Sequence, residues 1–139
     1  MNRRQVGVRR EASPSLGSDA KRKATKAIGD LLKEASSEVS SSFHVVVMHH
    51  LERRLGRDPV EVLLENSREF YAALSHMLTK PGADLYLGLV AHVLREKRGI
   101  DVSSGEFVRS IAEPDDNALT ICNIAQMLVE KEEEEEGKS

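Results

Sequence analysis

Helical periodicity between Phe43 and Asp101 is the feature that most constrains the fold of this chain. Apolar residues in this segment recur at steps of three and four, which is the spacing of one face of an α-helix. Helix start and stop signals divide the segment at Gly56, Asp58-Pro59, Asn66 with Glu69, Pro81-Gly82 and Gly99. No part of the chain alternates apolar and polar residues as a half-buried strand does. We therefore predict an all-α protein, folded as a compact bundle of five to six helices.

The capping signals also predict where each helix begins and ends. Asp19 is the expected N-cap of the first helix, Ser103 or Ser104 that of a short helix stopped by Pro114, and Asp115 or Asp116 that of the last helix. The predicted elements are a helix over 19–35, a helix over 36–55, a short turn over 60–64, helices over 67–78 and 83–98, a short helix over 105–112 and a last helix over 117–131.

Length and composition predict one domain with a small aliphatic core. The chain has 139 residues, of which 40% are hydrophobic and only five are aromatic. We expect a single helical domain over residues 19–131, preceded by a disordered basic segment (1–18) and followed by a disordered acidic tail (132–139). A core of this size gains stability when a second copy covers another apolar face, so the sequence favours a homodimer.

Charge is distributed unevenly along the chain. Residues 1–30 carry eight Lys/Arg against three Asp/Glu, a net charge of +5, and residues 111–139 carry two against nine, a net charge of −7. The run Glu132–Glu136 repels itself and is expected to fray. Charged ends of this kind are typical of solvated, flexible segments. The alternative to two solvated ends is that residues 1–30, which we call the basic head, pair with the acidic tail.

Cysteine content and hydropathy limit the cellular setting. The one cysteine, Cys122, excludes an intramolecular disulfide and a multi-cysteine zinc site. It lies on the apolar stripe of the last helix, so we expect a buried and unreactive thiol. The apolar runs are far shorter than a membrane span, and no apolar run follows the basic N-terminus as in a signal peptide. The expected location is the cytoplasm, without membrane association.

Two helices carry more apolar residues than one buried face needs. Apolar side chains cover more than half of the helix over 83–98, and the last helix has two apolar stripes. Gly88 removes bulk where another helix could approach closely. The residues that we expect in an interface are Leu85, Leu89, Val93, Leu119, Cys122 and Val129.

The histidines suggest a metal site or a catalytic site, but their spacing does not support either. His49 and His50 are adjacent and point about 100° apart on a helix, so they cannot hold one ion together. His50 falls on an apolar stripe and is expected to be a partly buried core residue. His49 with Glu52, and His92 with Glu96, share helix faces as ordinary surface pairs do. The sequence also lacks HExxH, a GxSxG elbow and glycine-rich phosphate loops. We predict no catalytic residues, no metal ligands and no cofactor.

The basic head could bind nucleic acid through phosphate contacts, which is the second hypothesis for function. No aromatic residues are interleaved with these basic residues, so recognition of specific single-stranded bases is not expected. The candidate phosphate ligands are Arg3, Arg4, Arg9, Arg10, Lys21, Arg22, Lys23 and Lys26.

The order of signals over about residues 36–101 resembles an archaeal family of small helical domains. The segments that carry the resemblance are HHLERRLGRDP, ENSREFYAALSHML and PGADLYLGLVAHVLREKRGI. They are similar to the NitrOD5-type output domain and its stand-alone relatives of unknown function. The resemblance implies a compact helical module that serves as an output or interaction domain in archaeal signalling proteins, and it supplies no catalytic residues.

The first hypothesis for function is thus a non-enzymatic helical interaction or regulatory module. It would act by homodimerisation, or by binding a regulatory protein, through the apolar faces over 85–94 and 119–129. The alternatives are a nucleic-acid-associated protein that uses the basic head, and a metal-dependent enzyme built on His49, His50, Glu52 and His92.

Overall fold

Six α-helices follow one another along the chain, as the capping signals predict. The computed structural model describes residues 18–116 and 119–138, and within these ranges it contains no strand, so the all-α fold is confirmed. The helices are α1 (Ser18–Ser37), α2 (Phe43–Leu55), α3 (Pro59–Glu65), α4 (Ser67–Arg98), α5 (Ser104–Ala112) and α6 (Ile121–Lys138), with a 3₁₀ turn at Pro114–Asp116.

Side-chain caps fix three of the helix starts at the predicted residues. Asp58 accepts a hydrogen bond from the backbone N–H of Val60 at 3.0 Å, and Ser103 accepts one from Glu106 at 3.1 Å. Asn66 caps α4 in the same way. The predicted turn over 60–64 is a full helix, because Asp58 and Pro59 together satisfy and pre-form its first turn.

Helices α2 and α4 each end at a glycine whose backbone conformation would strain any other residue. Gly56 after α2 has φ 78°, and Gly99 after α4 has φ 66°. Both lie in the left-handed region, where a side chain clashes with the backbone and glycine does not. The predicted helix ends at these residues are confirmed.

Helix α4 is two helical segments joined at Thr79, which has φ 67° and ψ 166°. The hydroxyl of Thr79 accepts a hydrogen bond from the N–H of Gly82 at 3.3 Å and so caps the second segment. The predicted break at Pro81-Gly82 is therefore present but begins two residues earlier. Pro81 falls in the first turn of the new segment, where its missing N–H leaves no helical hydrogen bond unmade.

The predicted helix over 36–55 is wrong at its start. Helix α1 continues to Ser37, and residues 38–42 form turns before α2 begins at Phe43. The serines of this stretch explain the break, because their hydroxyls compete with helical hydrogen bonds. Ser37 donates to the carbonyl of Glu34 at 2.7 Å, for example.

Helix α6 begins at Ile121, later than predicted. Asp115 and Asp116 lie in the 3₁₀ turn, and the helix is capped instead by Thr120. Thr120 and Asn123 exchange hydrogen bonds in a reciprocal cap, with the N–H of Asn123 donating to Oγ1 of Thr120 at 3.3 Å and the N–H of Thr120 donating to Oδ1 of Asn123 at 3.1 Å.

The acidic tail is helical over 132–138, whereas we expected residues 132–139 to be disordered. Helix α6 runs on to Lys138 and packs against α1. Lys23 of α1 lies 3.0 Å from the carboxylate of Glu133, which offsets part of the repulsion within the glutamate run. One contact between the basic head and the acidic tail is thus present in the fold. Of the predicted disordered segment 1–18, only Ser18 is described, and it begins α1; the rest lies outside the described residues.

The core is centred on α4, which packs against each of the other five helices. Its buried face includes Phe70, Leu74, Leu87 and Leu94, which are fully enclosed. Each such side chain contributes about 1.5–3 kcal/mol through burial. This packing leaves the opposite face of the second α4 segment for solvent, and the candidate site lies there.

Candidate functional site

An apolar groove of about 780 Å³ lies beside the second segment of α4. Its walls come from the turn before α2, from the start of α2 and from Ser104 at the start of α5. The apolar side chains that line it are Val39, Phe43, Leu78, Leu85 and Leu89. We call this feature the α2–α4 groove.

Leu85 is the most exposed apolar side chain in the groove, with 78% of its surface open to solvent. Val39 on the opposite wall is 55% exposed. The floor between them contains the ring of Tyr86, whose centroid lies 5.9 Å from that of Phe43. Gly88 adds no side chain there, and a Cβ built on it would lie 3.5 Å from Oγ of Ser104. The groove thus combines a protruding leucine with an open apolar floor.

An apolar row runs from the turn before α2 onto that helix and lies largely outside the core. Val39, Phe43 and Val46 follow one another at steps of four and three; Val39 and Val46 are exposed, and Phe43 is partly buried against the core. The row that α2 does bury is formed by Val47 and Leu51. The sequence contained the signal for this result, because two apolar rows on one helix exceed what a single packing face can cover.

Polar groups are spread along the groove rather than gathered at one point. Asp84 accepts a hydrogen bond from the hydroxyl of Tyr71 at 2.6 Å, and the ammonium of Lys80 lies 3.6 Å from its other oxygen. Arg95 donates to the carbonyl of Val102 at 2.8 Å. His92 lies between these two residues on the helix. At a rise of about 1.5 Å per residue, Asp84 and Arg95 are about 16 Å apart along the axis.

The residues predicted for an interface are divided between the core and the surface. Leu85 and Leu89 line the groove. Val93 has no exposed surface, so it packs within the chain and adds nothing to an outer contact, contrary to expectation. Leu119 and Val129 are partly buried against the core, and α6 packs chiefly against α1. The second predicted face is therefore largely covered within the chain.

Cys122 is exposed, which corrects the expectation of a buried thiol. Its Sγ donates to the carbonyl oxygen of Leu64 at 3.4 Å. Partial desolvation of the sulfur raises the pKa of the Cys122 thiol above its ordinary value, which disfavours the reactive thiolate.

The histidines do not form a metal centre. His49 and His50 are both exposed on α2. Their ring centroids are 5.7 Å apart, and the edge of one ring faces the plane of the other. His50 was expected to be partly buried, and this is wrong because it lies one helical turn beyond Val46, on the same exposed face of α2. Within the described ranges, no group of three or more His, Cys, Asp or Glu side chains is placed to hold a metal ion.

His44 is the histidine with an unusual environment. Its Nδ1 is buried and has no hydrogen-bond partner within the described part of the chain. Burial lowers the pKa of His44 below its ordinary value, and the nearby charge of Lys33 lowers it further.

Four basic residues near the start of α1 are each paired with a carboxylate. Lys21 lies 2.8 Å from Glu65, and Lys23 lies 3.0 Å from Glu133. Arg22 pairs with Asp19 at 2.7 Å and Lys26 pairs with Asp30 at 2.9 Å. These four candidate phosphate ligands therefore have part of their charge compensated within the chain. The other four, Arg3, Arg4, Arg9 and Arg10, lie outside the described residues.

Comparisons with known proteins leave the site to be interpreted from its own geometry. Neither the family models, nor the curated proteins, nor the solved structures include a match to this chain. Among the described helices, none has the length and apolar character needed to cross a membrane.

Proposed function

We propose that this protein is a non-enzymatic helical interaction module that binds another helix in the α2–α4 groove. The observation that carries the proposal is Leu85, a large apolar side chain that is 78% exposed at the edge of an apolar groove. Contiguous exposed apolar surface of this kind marks sites of protein contact. Burying a leucine provides about 1.5–3 kcal/mol, which favours binding over solvation.

The spacing of the groove-lining residues on α4 favours a helix as the bound element. Leu85, Gly88, His92 and Arg95 follow at steps of three, four and three, which is the heptad spacing of a helix–helix seam. Leu89 lies beside this seam and also lines the groove. A partner helix can therefore lie along the second segment of α4 and insert its own apolar side chains between α4 and α2.

The same geometry supports a binding role over a catalytic one. Acid–base catalysis needs groups within hydrogen-bond reach of one substrate atom. Asp84 and His92 are separated by about 12 Å along the helix axis. Asp84 is also held by Tyr71 and Lys80. A regulatory or signalling output role in an archaeal cytoplasm, as the resemblance to the NitrOD5-type domain implies, is part of this proposal.

Binding of nucleic acid by the basic head remains the alternative, with less support. A phosphate that approached Lys21 or Lys23 would have to displace Glu65 or Glu133. Both pairs lie on the surface, where solvent weakens an ion pair, so a phosphate could displace either carboxylate. The pairing nonetheless lowers the net positive charge that would attract a polyanion.

A photo-crosslinker tests the proposal at single-residue resolution. Purified protein with p-benzoylphenylalanine in place of Leu85 is illuminated alone and in an extract of the native organism. The same probe in place of Val45 is the control, since Val45 is 68% exposed on α2 and does not line the groove. We expect one discrete adduct from position 85, identified by mass spectrometry, and its loss when Gly88→Leu fills the groove. No adduct, or the same adducts from both positions, would contradict the proposal.

A further inference from the structure

The polar ends of the α2–α4 groove point to its occupant. Asp84 lies at one end of the seam on α4 and Arg95 at the other, with Leu85, Gly88, Leu89 and His92 between them. We propose that the groove is filled by the same segment of a second copy of this chain, with the two α4 helices antiparallel. This inference rests on the proposed function and names its partner.

Charge complementarity sets the direction of the second copy. In an antiparallel arrangement about a two-fold axis, Asp84 of each copy lies opposite Arg95 of the other, so both pairs are attractive. A parallel arrangement places Asp84 against Asp84 and Arg95 against Arg95, and both pairs are repulsive. The guanidinium of Arg95 has five N–H donors, and its bond to Val102 uses one of them. Asp84 has two carboxylate oxygens: the hydroxyl of Tyr71 donates to one at 2.6 Å, and the ammonium of Lys80 lies 3.6 Å from the other, so Arg95 of the second copy would share that oxygen with Lys80.

The position of the axis follows from the same two residues. It passes midway between Asp84 and Arg95, close to Leu89. Each charged end is then about 8 Å from the axis. Helices that cross at about 20°, as in antiparallel bundles, remain within side-chain reach over that length. The apolar contacts are centred on Leu89, and Leu85 of each copy lies against the His92 region of the other.

Gly88 lies near the point where the two α4 helices would cross. It lies one residue from the axis and has no side chain, so two α4 backbones can approach closely there. Gly88 is among the residues that line the groove, and Ser104 of the same chain lies beside it, 3.5 Å from where a Cβ of residue 88 would be. A surface that presents a leucine, an open floor and opposite charges at its two ends is complementary to a copy of itself, as a two-fold interface requires.

Analytical ultracentrifugation of charge-reversed variants tests this arrangement. In the Asp84→Lys homodimer, both cross-pairs are cationic, and in the Arg95→Glu homodimer both are anionic. With two symmetry-related pairs changed, we expect each variant to dissociate about tenfold more readily than the parent. An equimolar mixture of the two variants restores both attractive pairs, so we expect a heterodimer with close to the parental dissociation constant. Circular dichroism verifies that each variant is folded.

A disulfide test covers the case in which Arg95→Glu fails to fold. In a Cys122→Ser background, Leu89→Cys lies near the proposed axis and should form an intermolecular disulfide on mild oxidation. Val45→Cys in the same background should remain largely reduced. A parent protein that is monomeric at 100 μM, or a dimer that neither cross-links at position 89 nor responds to Asp84→Lys, would overturn the second copy as the occupant. A crosslinked partner from the native extract would then still support the groove as a binding site for another protein, whereas no adduct at position 85 would end both proposals.

Discussion

The hydroxyl of Tyr86 lies 3.1 Å from Oγ of Ser36, and both side chains are buried between α1 and α4. This hydrogen bond fixes the ring of Tyr86, against which Phe43 packs at the floor of the groove. A hydrogen bond between two enclosed hydroxyls is sensitive to the loss of either partner, because the remaining group has no water to replace it.

A double-mutant cycle on this pair should show strong coupling. Tyr86→Phe leaves the Ser36 hydroxyl without a partner, and Ser36→Ala leaves the Tyr86 hydroxyl without one, so we expect each to lower the free energy of unfolding by about 1–3 kcal/mol. The double variant removes both polar groups and should lie within about 1 kcal/mol of the parent. Urea denaturation measures all four proteins. Additive losses in the double variant would contradict a direct bond.

Tyr86 should also make the fold sensitive to high pH. Burial raises the pKa of Tyr86 to about 12 from 10.0, against a smaller opposing effect of the bond from Ser36. The unfolded chain therefore loses the tyrosine proton near pH 10 while the folded chain retains it. Unfolding becomes more favourable between pH 10 and 12, and the loss reaches about 3 kcal/mol.

The difference in unfolding free energy between the parent and the Ser36→Ala/Tyr86→Phe variant isolates this effect. This difference should stay constant up to pH 9.5. Above that pH the parent should lose stability relative to the variant, since only the parent has the buried phenol. Tyrosinate absorbance of the folded parent should show a late titration near pH 12 that the Ser36→Ala/Tyr86→Phe variant lacks. A parallel pH dependence of the two proteins would mean that Tyr86 ionises without unfolding cost.

His44 should give a pH dependence of the opposite sense. Burial lowers the pKa of His44 below 6.5, so the unfolded chain takes up a proton at a higher pH than the folded chain does. Stability therefore rises as pH increases through the ordinary histidine range, and this contribution is complete once His44 is neutral in both states. Proton NMR of the imidazole should show a midpoint below 6.5, and His44→Phe should flatten the pH dependence of urea unfolding. A midpoint at or above 6.5 would contradict the assigned burial.

Local signals in the sequence were sufficient for most of the fold. Asp58, Asn66 and Ser103 cap helices where expected, because a side-chain cap needs only its own neighbours along the chain. The same reasoning misplaced the start of α2 and the cap of α6. There, several residues of suitable type compete, and tertiary contacts such as the bond between Ser36 and Tyr86 decide the outcome.

The candidate site was predictable only in part, for a reason of geometry. Leu85 and Leu89 were recognised because the second segment of α4 is apolar over most of its circumference. Val93 could not be told apart from them, since which part of an apolar helix faces the core depends on the other helices. The exposure of Val39 and Val46 could not be predicted either, since the other helices decide which apolar row of α2 is buried.

Two glycine substitutions should have opposite effects on stability. Gly29 lies inside α1, and the nearest atom to an added Cβ is Cγ2 of Val60 at 4.0 Å. Gly29→Ala should therefore raise the free energy of unfolding by about 0.5–1 kcal/mol, as alanine does in helix interiors. Gly99→Ala should lower it, because alanine at φ 66° is strained. Thermal and urea unfolding of both variants provide the measurement, and stabilisation by Gly99→Ala would contradict the left-handed helix end.

Gly88→Ala separates the stability of the protomer from the use of the groove. The new Cβ would lie 3.5 and 3.6 Å from Oγ and Cβ of Ser104, which is ordinary contact, so the fold accommodates it. Helix propensity then favours the variant by up to about 1 kcal/mol in the unfolding of the dilute protein. The same methyl group lies where two α4 helices would cross, so self-association should weaken. Gly29→Ala is the matched control, since it makes the same exchange away from the groove and should leave association unchanged. Sedimentation equilibrium of the three proteins measures their dissociation constants, and equal values would remove Gly88 from the contact. A loss of stability in Gly88→Ala, measured by urea unfolding, would mean that Ser104 packs too tightly to accept a methyl group.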